Sequence, residues 1–133
     1  MILADTNILV DVVSGDPTWA DWSEQHLTSA AAEDELAIND VVYAELSVGY
    51  AEIEALDSML REAGLARTPI PRHTLFLAGK AFQRYRRNSG RKTSVLPDFF
   101  IGAHAVISDA ALLTRDARRY RTYFPGIALI APN

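Results

Sequence analysis

Apolar positions along the chain fall into short runs that alternate with longer stretches of helical period. Ile2 to Ala4 is a brief apolar run of strand type. Asp5-Thr6-Asn7 ends it with three small polar residues suited to a strand end and a helix start, and Ile8, Leu9, Val12 and Val13 follow at helical spacing. Asp16-Pro17 marks a turn before a helix expected over residues 18–31, with Trp19, Trp22 and Leu27 as its apolar stripe. Residues 36–38 read as the second strand. Asn39-Asp40 caps a helix that carries Val41, Val42, Ala44, Leu46 and Val48. Ile53, Leu56, Met59 and Leu60 mark the next helix, which Gly64 stops. Residues 66–70, with their prolines, read as a short strand and connection. Leu75, Phe76, Ala78, Gly79, Phe82 and Tyr85 mark a helix over 72–88. Leu96-Pro97-Asp98 opens a further helix to residue 107, apolar nearly all round and so expected to lie between other elements. Residues 111–114 are a buried strand, Arg118, Arg119 and Arg121 lie in a basic turn, and 127–131 are the last strand.

This alternation predicts one α/β domain over residues 1–133, with a parallel sheet of about five strands, helices on both faces and right-handed crossovers. Open sheets of this kind bind ligands at the carboxyl ends of their strands. Asp5 and Asp116 fall at two such ends, and Asp98 and Glu45 lie on helices able to approach the same edge. Asp5 is also a plausible helix cap, and Asp98 is favoured by the dipole of its helix. Glu45 falls near the middle of the apolar face of its helix. A carboxylate there must be paired, protonated, bound to a metal, or at the rim of a cleft. His104 reads as structural, and His73 as a surface or capping residue.

Composition narrows the class. An apolar fraction of 49% and a charged fraction of 23% suit a soluble globular protein. No apolar run approaches the ~20 residues needed to cross a bilayer. No basic leader precedes an apolar segment, so a cytoplasmic location is expected. The absence of cysteine excludes disulfides and thiolate metal sites. A net charge of −4 conceals a division: residues 1–60 hold thirteen acids and no Lys or Arg, whereas residues 80–121 hold ten basic residues against three acids. The basic segment would attract phosphates. Arg84, Arg86, Arg87, Arg91 and Lys92 crowd the end of the 72–88 helix and the loop after it, Arg115 adjoins Asp116, and Tyr85 is placed to stack on a base.

Four carboxylates without histidine or cysteine partners are poor zinc ligands but suit Mg²⁺ or Mn²⁺. Acids that ionise together need a cation to offset their repulsion. One or two such metals can activate water for attack on a phosphodiester. Thr6, Asn7 and Thr114 are small polar residues able to orient the carboxylates or hold metal-bound water. With the basic segment as a path for a polyanion, these residues point to a metal-dependent nuclease.

The order Asp5-Thr6-Asn7 with Asp11, then Glu45, then Asp98-Phe99-Phe100-Ile101-Gly102-Ala103-His104-Ala105, then Thr114-Arg115-Asp116 resembles a PIN-domain ribonuclease. The compact length and the ending resemble the VapC toxins of bacterial VapBC toxin–antitoxin pairs, and the likeness covers essentially the whole chain. It implies a three-layer sandwich around a parallel sheet and a Mg²⁺- or Mn²⁺-dependent endoribonuclease. It further implies frequent homodimers and inhibition by a cognate antitoxin whose segment enters the active-site groove. Carried over by motif, Asp5, Glu45, Asp98 and Asp116 are the catalytic and metal-binding acids, with Thr6, Asn7 and Thr114 in support. Gly102 stands where many relatives have Ala, a change expected to be tolerated. Trp19/Trp22 and Leu56/Met59/Leu60 are candidate partner faces. The competing reading is a catalytically silent RNA-binding or antitoxin-docking module on the same fold. A haloacid-dehalogenase-type phosphatase would need an Asp at position 7, which is Asn, and a response-regulator receiver is disfavoured because Asp57 lies within a helical pattern.

Overall fold

The computed structural model describes residues 1–88 and 95–132, which form five strands and seven helices. In chain order these are β1 (Ile2–Ala4), α1 (Thr6–Ser14), α2 (Ala20–Glu33), β2 (Leu36–Asn39), α3 (Asp40–Ser47) and α4 (Ile53–Glu62). There follow β3 (Ala66–Thr68), α5 (Arg72–Arg87), α6 (Leu96–Ile107), β4 (Ala111–Leu113), α7 (Arg118–Tyr123) and β5 (Ala128–Ile130). The strands form one parallel sheet in the order β3-β2-β1-β4-β5, with Ile2 opposite Leu36 on one side and Ala111 on the other. Helices cover both faces, so the expected three-layer α/β architecture is borne out.

Burial follows strand order. Every residue of β1 and β2 is buried, as are Leu112 and Leu113 of β4, whereas edge strand β3 is largely exposed and edge strand β5 is half-buried. Central strands of a parallel sheet are covered on both faces, which is why their sequences are apolar but for Asn39 at the end of β2. Edge strand β3 instead carries Arg67, paired with Asp40 on the surface at 2.6 Å. It ends at Thr68, short of the expected residue 70, since Pro69 has no N–H to continue the ladder. From β1 the chain builds outward through β2 to β3, crosses back to β4, and ends at β5. The two neighbours β1 and β4 therefore flank a topological switch point, the usual ligand crevice of such sheets.

Helices α5 and α6 pack antiparallel. Phe82 and Tyr85 each meet the Phe99 ring at 5.5 Å, while Leu77 and Ala81 share a groove with Ala103 and Val106. The arginine-rich end of α5 is thereby brought beside the start of α6. Residues 118–123 form a helix and not the expected turn. Ala117, Tyr120 and Phe124 are all buried and anchor α7 at helical spacing, in a segment too short to display a period. Gly64 ends its helix region with φ of 72°, in agreement with its reading as a stop.

Several faces differ from expectation. Leu56 and Leu60 belong to the core and Met59 packs against it, so they do not form a partner face. On α5 the buried residues are Thr74, Ala78 and Ala81, and Phe76 is 66% exposed. Trp19 and Trp22 are half-buried, meet edge to face at 6.0 Å, and Trp22 stacks on His26 at 3.9 Å. His104 is buried and shares a hydrogen bond with the Asn39 side chain at 3.3 Å, in keeping with a structural role. The expected tolerance of Ala at 102 meets an obstacle in the Phe124 side chain. A Cβ there would stand 2.5 Å from Phe124 Cε2 and 2.6 Å from Cδ2, so the Phe124 ring must move to admit it.

Candidate active site

Asp5 is the last residue before α1 and serves as its N-cap, with extended backbone at φ −73° and ψ 154°. Its Oδ1 accepts the Thr6 backbone N–H at 2.7 Å. Its Oδ2 accepts two hydroxyls, Thr114 Oγ1 at 2.9 Å and the Tyr120 phenol at 2.9 Å. Pairing of β1 with β4 makes the first of these contacts possible, because it brings the residues just after the two strands together. Thr114 Oγ1 in turn accepts from Asn7 Nδ2 at 3.2 Å and from the Asp116 N–H at 3.1 Å. The Arg115 N–H donates to Asn7 Oδ1 at 3.3 Å. Asn7 and Thr114 thus hold the ends after β1 and β4 to each other, while Thr114 and the Thr6 N–H aim the Asp5 carboxylate.

Asp5, Glu45, Asp98 and Asp116 line one cleft of about 310 Å³, together with Thr6, Asn7, Arg115 and Tyr120. Glu45 reaches it from α3, where its Oε1 accepts the Thr6 hydroxyl at 2.6 Å. It is exposed, and not in the middle of a buried face. Helix α3 is anchored by Val42 and Leu46 one turn apart, while Ala44 is exposed and Val48 is 89% exposed. The five apolar residues read from the sequence as one face are therefore split, with Val42 and Leu46 against the core, Val41 half-buried, and Ala44 and Val48 turned outward. Asp98, in the first turn of α6, accepts Arg119 Nη1 at 2.5 Å.

Burial and crowding of like charge push both central carboxyls upward. Asp5 is raised to about 6, first by burial and then by the charge of Asp98, against the opposing hydrogen bonds from Thr114, Tyr120 and Thr6. Asp98 is raised by burial and by Glu45 and Asp116, while the Arg119 guanidinium pulls the other way by charge and hydrogen bond. Burial, Asp5 and Asp98 hold the Tyr120 phenol well above its ordinary range, so it stays protonated and acts as a donor.

Tyr120 and Arg119 are the site residues that sequence reasoning missed. Their signal was the spacing of Ala117, Tyr120 and Phe124, which marks a helix wherever a buried face repeats every three to four residues. Asp11, quoted in the first motif without a role, is also explained. It is 1% exposed and accepts Arg115 Nε at 2.7 Å and Ser23 Oγ at 3.0 Å. Arg115, expected on the RNA path, is held by this ion pair at the cleft rim with its guanidinium 5.8 Å from the Trp19 ring centre. Arg84, Arg86 and Arg87 are exposed at the end of α5, with Arg84 Nη2 at 3.5 Å from the Tyr123 carbonyl and Arg86 over the Phe82 ring. Tyr85, expected to stack on a base, is half-buried and already engaged by Phe82, Phe99 and Tyr123. Arg91 and Lys92 lie outside the described residues.

The donor set suits a hard divalent cation. It offers carboxylates without nitrogen or sulfur, and the upward pressure on Asp5 and Asp98 is the repulsion that a cation would relieve. Among the described residues no three acids yet stand as a finished ligand group, with Asp98 drawn to Arg119 and Glu45 to Thr6.

An acid-lined crevice at the switch point of a five-stranded parallel sheet, with its carboxylates contributed by the β1 and β4 ends and by α3 and α6, defines the PIN-domain class. The chain belongs to this family, whose model matches residues 2–125. It is similar to ribonuclease VapC19 of Mycobacterium tuberculosis, with 30% identity over 122 residues, 90% of this chain and 92% of the relative. Among solved structures, VapBC2 of Rickettsia felis bound to a DNA fragment from its promoter superposes with a TM-score of 0.75 at 23% identity, over the whole of both chains. A toxin–antitoxin complex from Klebsiella pneumoniae gives a TM-score of 0.70 at 26% identity, over 100% of this chain and 98% of the other.

Proposed function

We propose that the protein is a VapC-type endoribonuclease, dependent on Mg²⁺ or Mn²⁺ and acting as the toxin of a toxin–antitoxin pair. The observation that carries this reading is the convergence of Asp5, Glu45, Asp98 and Asp116 on one cleft, with Asp5 raised to about 6 in part by the charge of Asp98. Those four side chains would hold the ion, which when bound supplies activation of water and neutralisation of charge on the phosphodiester. Thr114, Tyr120 and the Thr6 N–H fix the Asp5 carboxylate in place, and Arg119 orients Asp98. Arg115 at the rim, with Arg84, Arg86 and Arg87 beside the start of α6, would draw in the RNA backbone. The VapBC and toxin–antitoxin complexes among the structural relatives support an antitoxin partner, and on this reading the protein acts in the cytoplasm. A homodimer is supported by the exposed apolar side chains of Leu75, Phe76 and Leu77 on α5 and of Val106 and Ile107 on α6.

A second reading, the catalytically silent binding module, is favoured by one observation: Arg119 already occupies Asp98 as a cation would. Cleavage of a mixed structured RNA pool, with Mg²⁺, with Mn²⁺ and with chelator, separates the two. Metal-dependent cuts that vanish in the Asp5→Asn protein are expected. RNA binding without cuts under every metal condition would replace the nuclease with the binding module.

A further inference from the structure

Beside the acid-lined cleft lies a second one, of about 370 Å³, lined by Asp116, Arg118, Arg119, Thr122 and Tyr123. Asp116 lines both, so the two clefts adjoin at that residue. We infer that this second cleft seats the phosphodiester next to the one being cut, so that the substrate strand leaves the acids across α7. The inference rests on the nuclease reading and adds the direction in which the RNA lies.

The argument begins with electrostatics. Four carboxylates around one cleft repel a polyanion beyond what a bound cation and Arg115 offset, so cations holding the neighbouring phosphates favour a strand lying across them. Arg118 and Arg119 are the cations one step away. Arg119 spends one nitrogen on Asp98 at 2.5 Å. The Arg118 guanidinium is exposed and makes no hydrogen bond or ion pair with another of the described residues. Arg84, reaching the Tyr123 carbonyl at 3.5 Å, adds a third positive charge beside this cleft. A planar guanidinium fork matches a phosphate in two-point contact.

The lining also speaks for backbone over base. Its aromatic ring, Tyr123, already packs against Tyr85 at 5.8 Å and Phe99 at 5.4 Å. The Thr122 hydroxyl donates to the Arg118 carbonyl at 3.1 Å, so its hydrogen is not spent on a base edge. Contacts of this kind position a strand without reading its sequence. Arg118 is accordingly a positioning residue for substrate.

The test is fluorescence-anisotropy binding of a short mixed-sequence single-stranded RNA in Mg²⁺, on a Glu45→Gln background to prevent cleavage. Arg118→Ala should weaken binding several-fold, Arg118→Glu should weaken it further, and the salt slope should fall by about 0.7 for the lost contact. Arg61→Ala is the control, because the end of α4 leads into the amino end of β3, on the far side of the sheet from the site. In the otherwise wild-type protein Arg118→Ala should raise KM with kcat little changed. A neutral methylphosphonate walked along the substrate should cost the wild type, at one linkage beside the cut, what Arg118→Ala costs on unmodified RNA. The two losses should not add. Affinity and salt slope unchanged in both folded Arg118 variants would overturn the second cleft and leave the nuclease standing. RNA binding that depends on Arg118, with no cuts by the wild type, would leave a phosphate seat on α7 but overturn the nuclease and, with it, the placing of that seat beside a cut. Absence of RNA binding by the wild type at low salt would overturn both.

Discussion

Tyr120 donates its phenolic hydrogen to the buried Asp5 carboxylate at 2.9 Å, joining the short helix after β4 to the residue that follows β1. The bond stabilises the charged form of Asp5, in a place where burial and Asp98 disfavour it. Tyr120→Phe should therefore push the Asp5 carboxyl further up. The acid limb of the cleavage profile should move to higher pH. The variant should lose about 1–2 kcal/mol of stability at neutral pH and less in acid, where Asp5 is protonated. A pH–rate profile and thermal unfolding at two pH values check this, and a profile that overlays the wild type would refute it.

Asp5 itself works against the fold when no cation is bound. Its folded carboxyl holds a proton up to about 6, above the ordinary 3.8. The folded state thus binds more protons than the unfolded one between these values, and this group's contribution to stability falls as pH rises through that window. Above about pH 6 the whole penalty is present. In metal-free buffer Asp5→Asn should stabilise the protein by on the order of 2 kcal/mol at neutral pH, and hardly at all near pH 4. Cleavage should be abolished. Calorimetry that finds equal melting temperatures at neutral pH would contradict the electrostatic account.

Arg115 and Asp11 form the second pair that the site depends on. Arg115→Ala leaves the Asp11 charge buried with Ser23 as its remaining side-chain partner, a loss of about 3 kcal/mol. The double variant Asp11→Ala/Arg115→Ala should be no less stable than Arg115→Ala alone, because it removes the stranded charge. Urea titrations of the four proteins give the coupling directly. Strictly additive losses would mean that the pair contributes nothing as a pair.

Gly102→Ala sets two effects against each other. Alanine favours a helix over glycine by about 1 kcal/mol, whereas the new methyl meets the Phe124 ring. Phe124 is itself packed against Phe99 at 5.9 Å, so overpacking should win by roughly 1–2 kcal/mol net. Gly102→Ala combined with Phe124→Leu should cost less than the sum of the two single changes. A melting temperature raised by Gly102→Ala alone would show that the ring yields freely.

Alternation of apolar runs with helical stretches was enough to determine the α/β class. It also placed Asp5 and Asp116 after strands, because a polar residue closing an apolar run is a local event. The same local signals located the helices of Glu45 and Asp98, the glycine stop at 64 and the structural His104. Strand order lay beyond them. Nothing in the runs at 2–4 and 111–113 states that they are neighbours, and only burial of the most apolar strands at the centre of the sheet makes them so. That adjacency joins Thr114 to Asp5 and opens the crevice. Tertiary packing also decided which way α3 turns. Periodicity tells which residues share a face, while contact with the core selects the face to be buried, and here it chose Val42 and Leu46 and left Glu45 at the rim. Tyr120 and Arg119 became visible last. They sit on a six-residue helix, and their carboxylate partners, Asp5 and Asp98, come from distant parts of the chain.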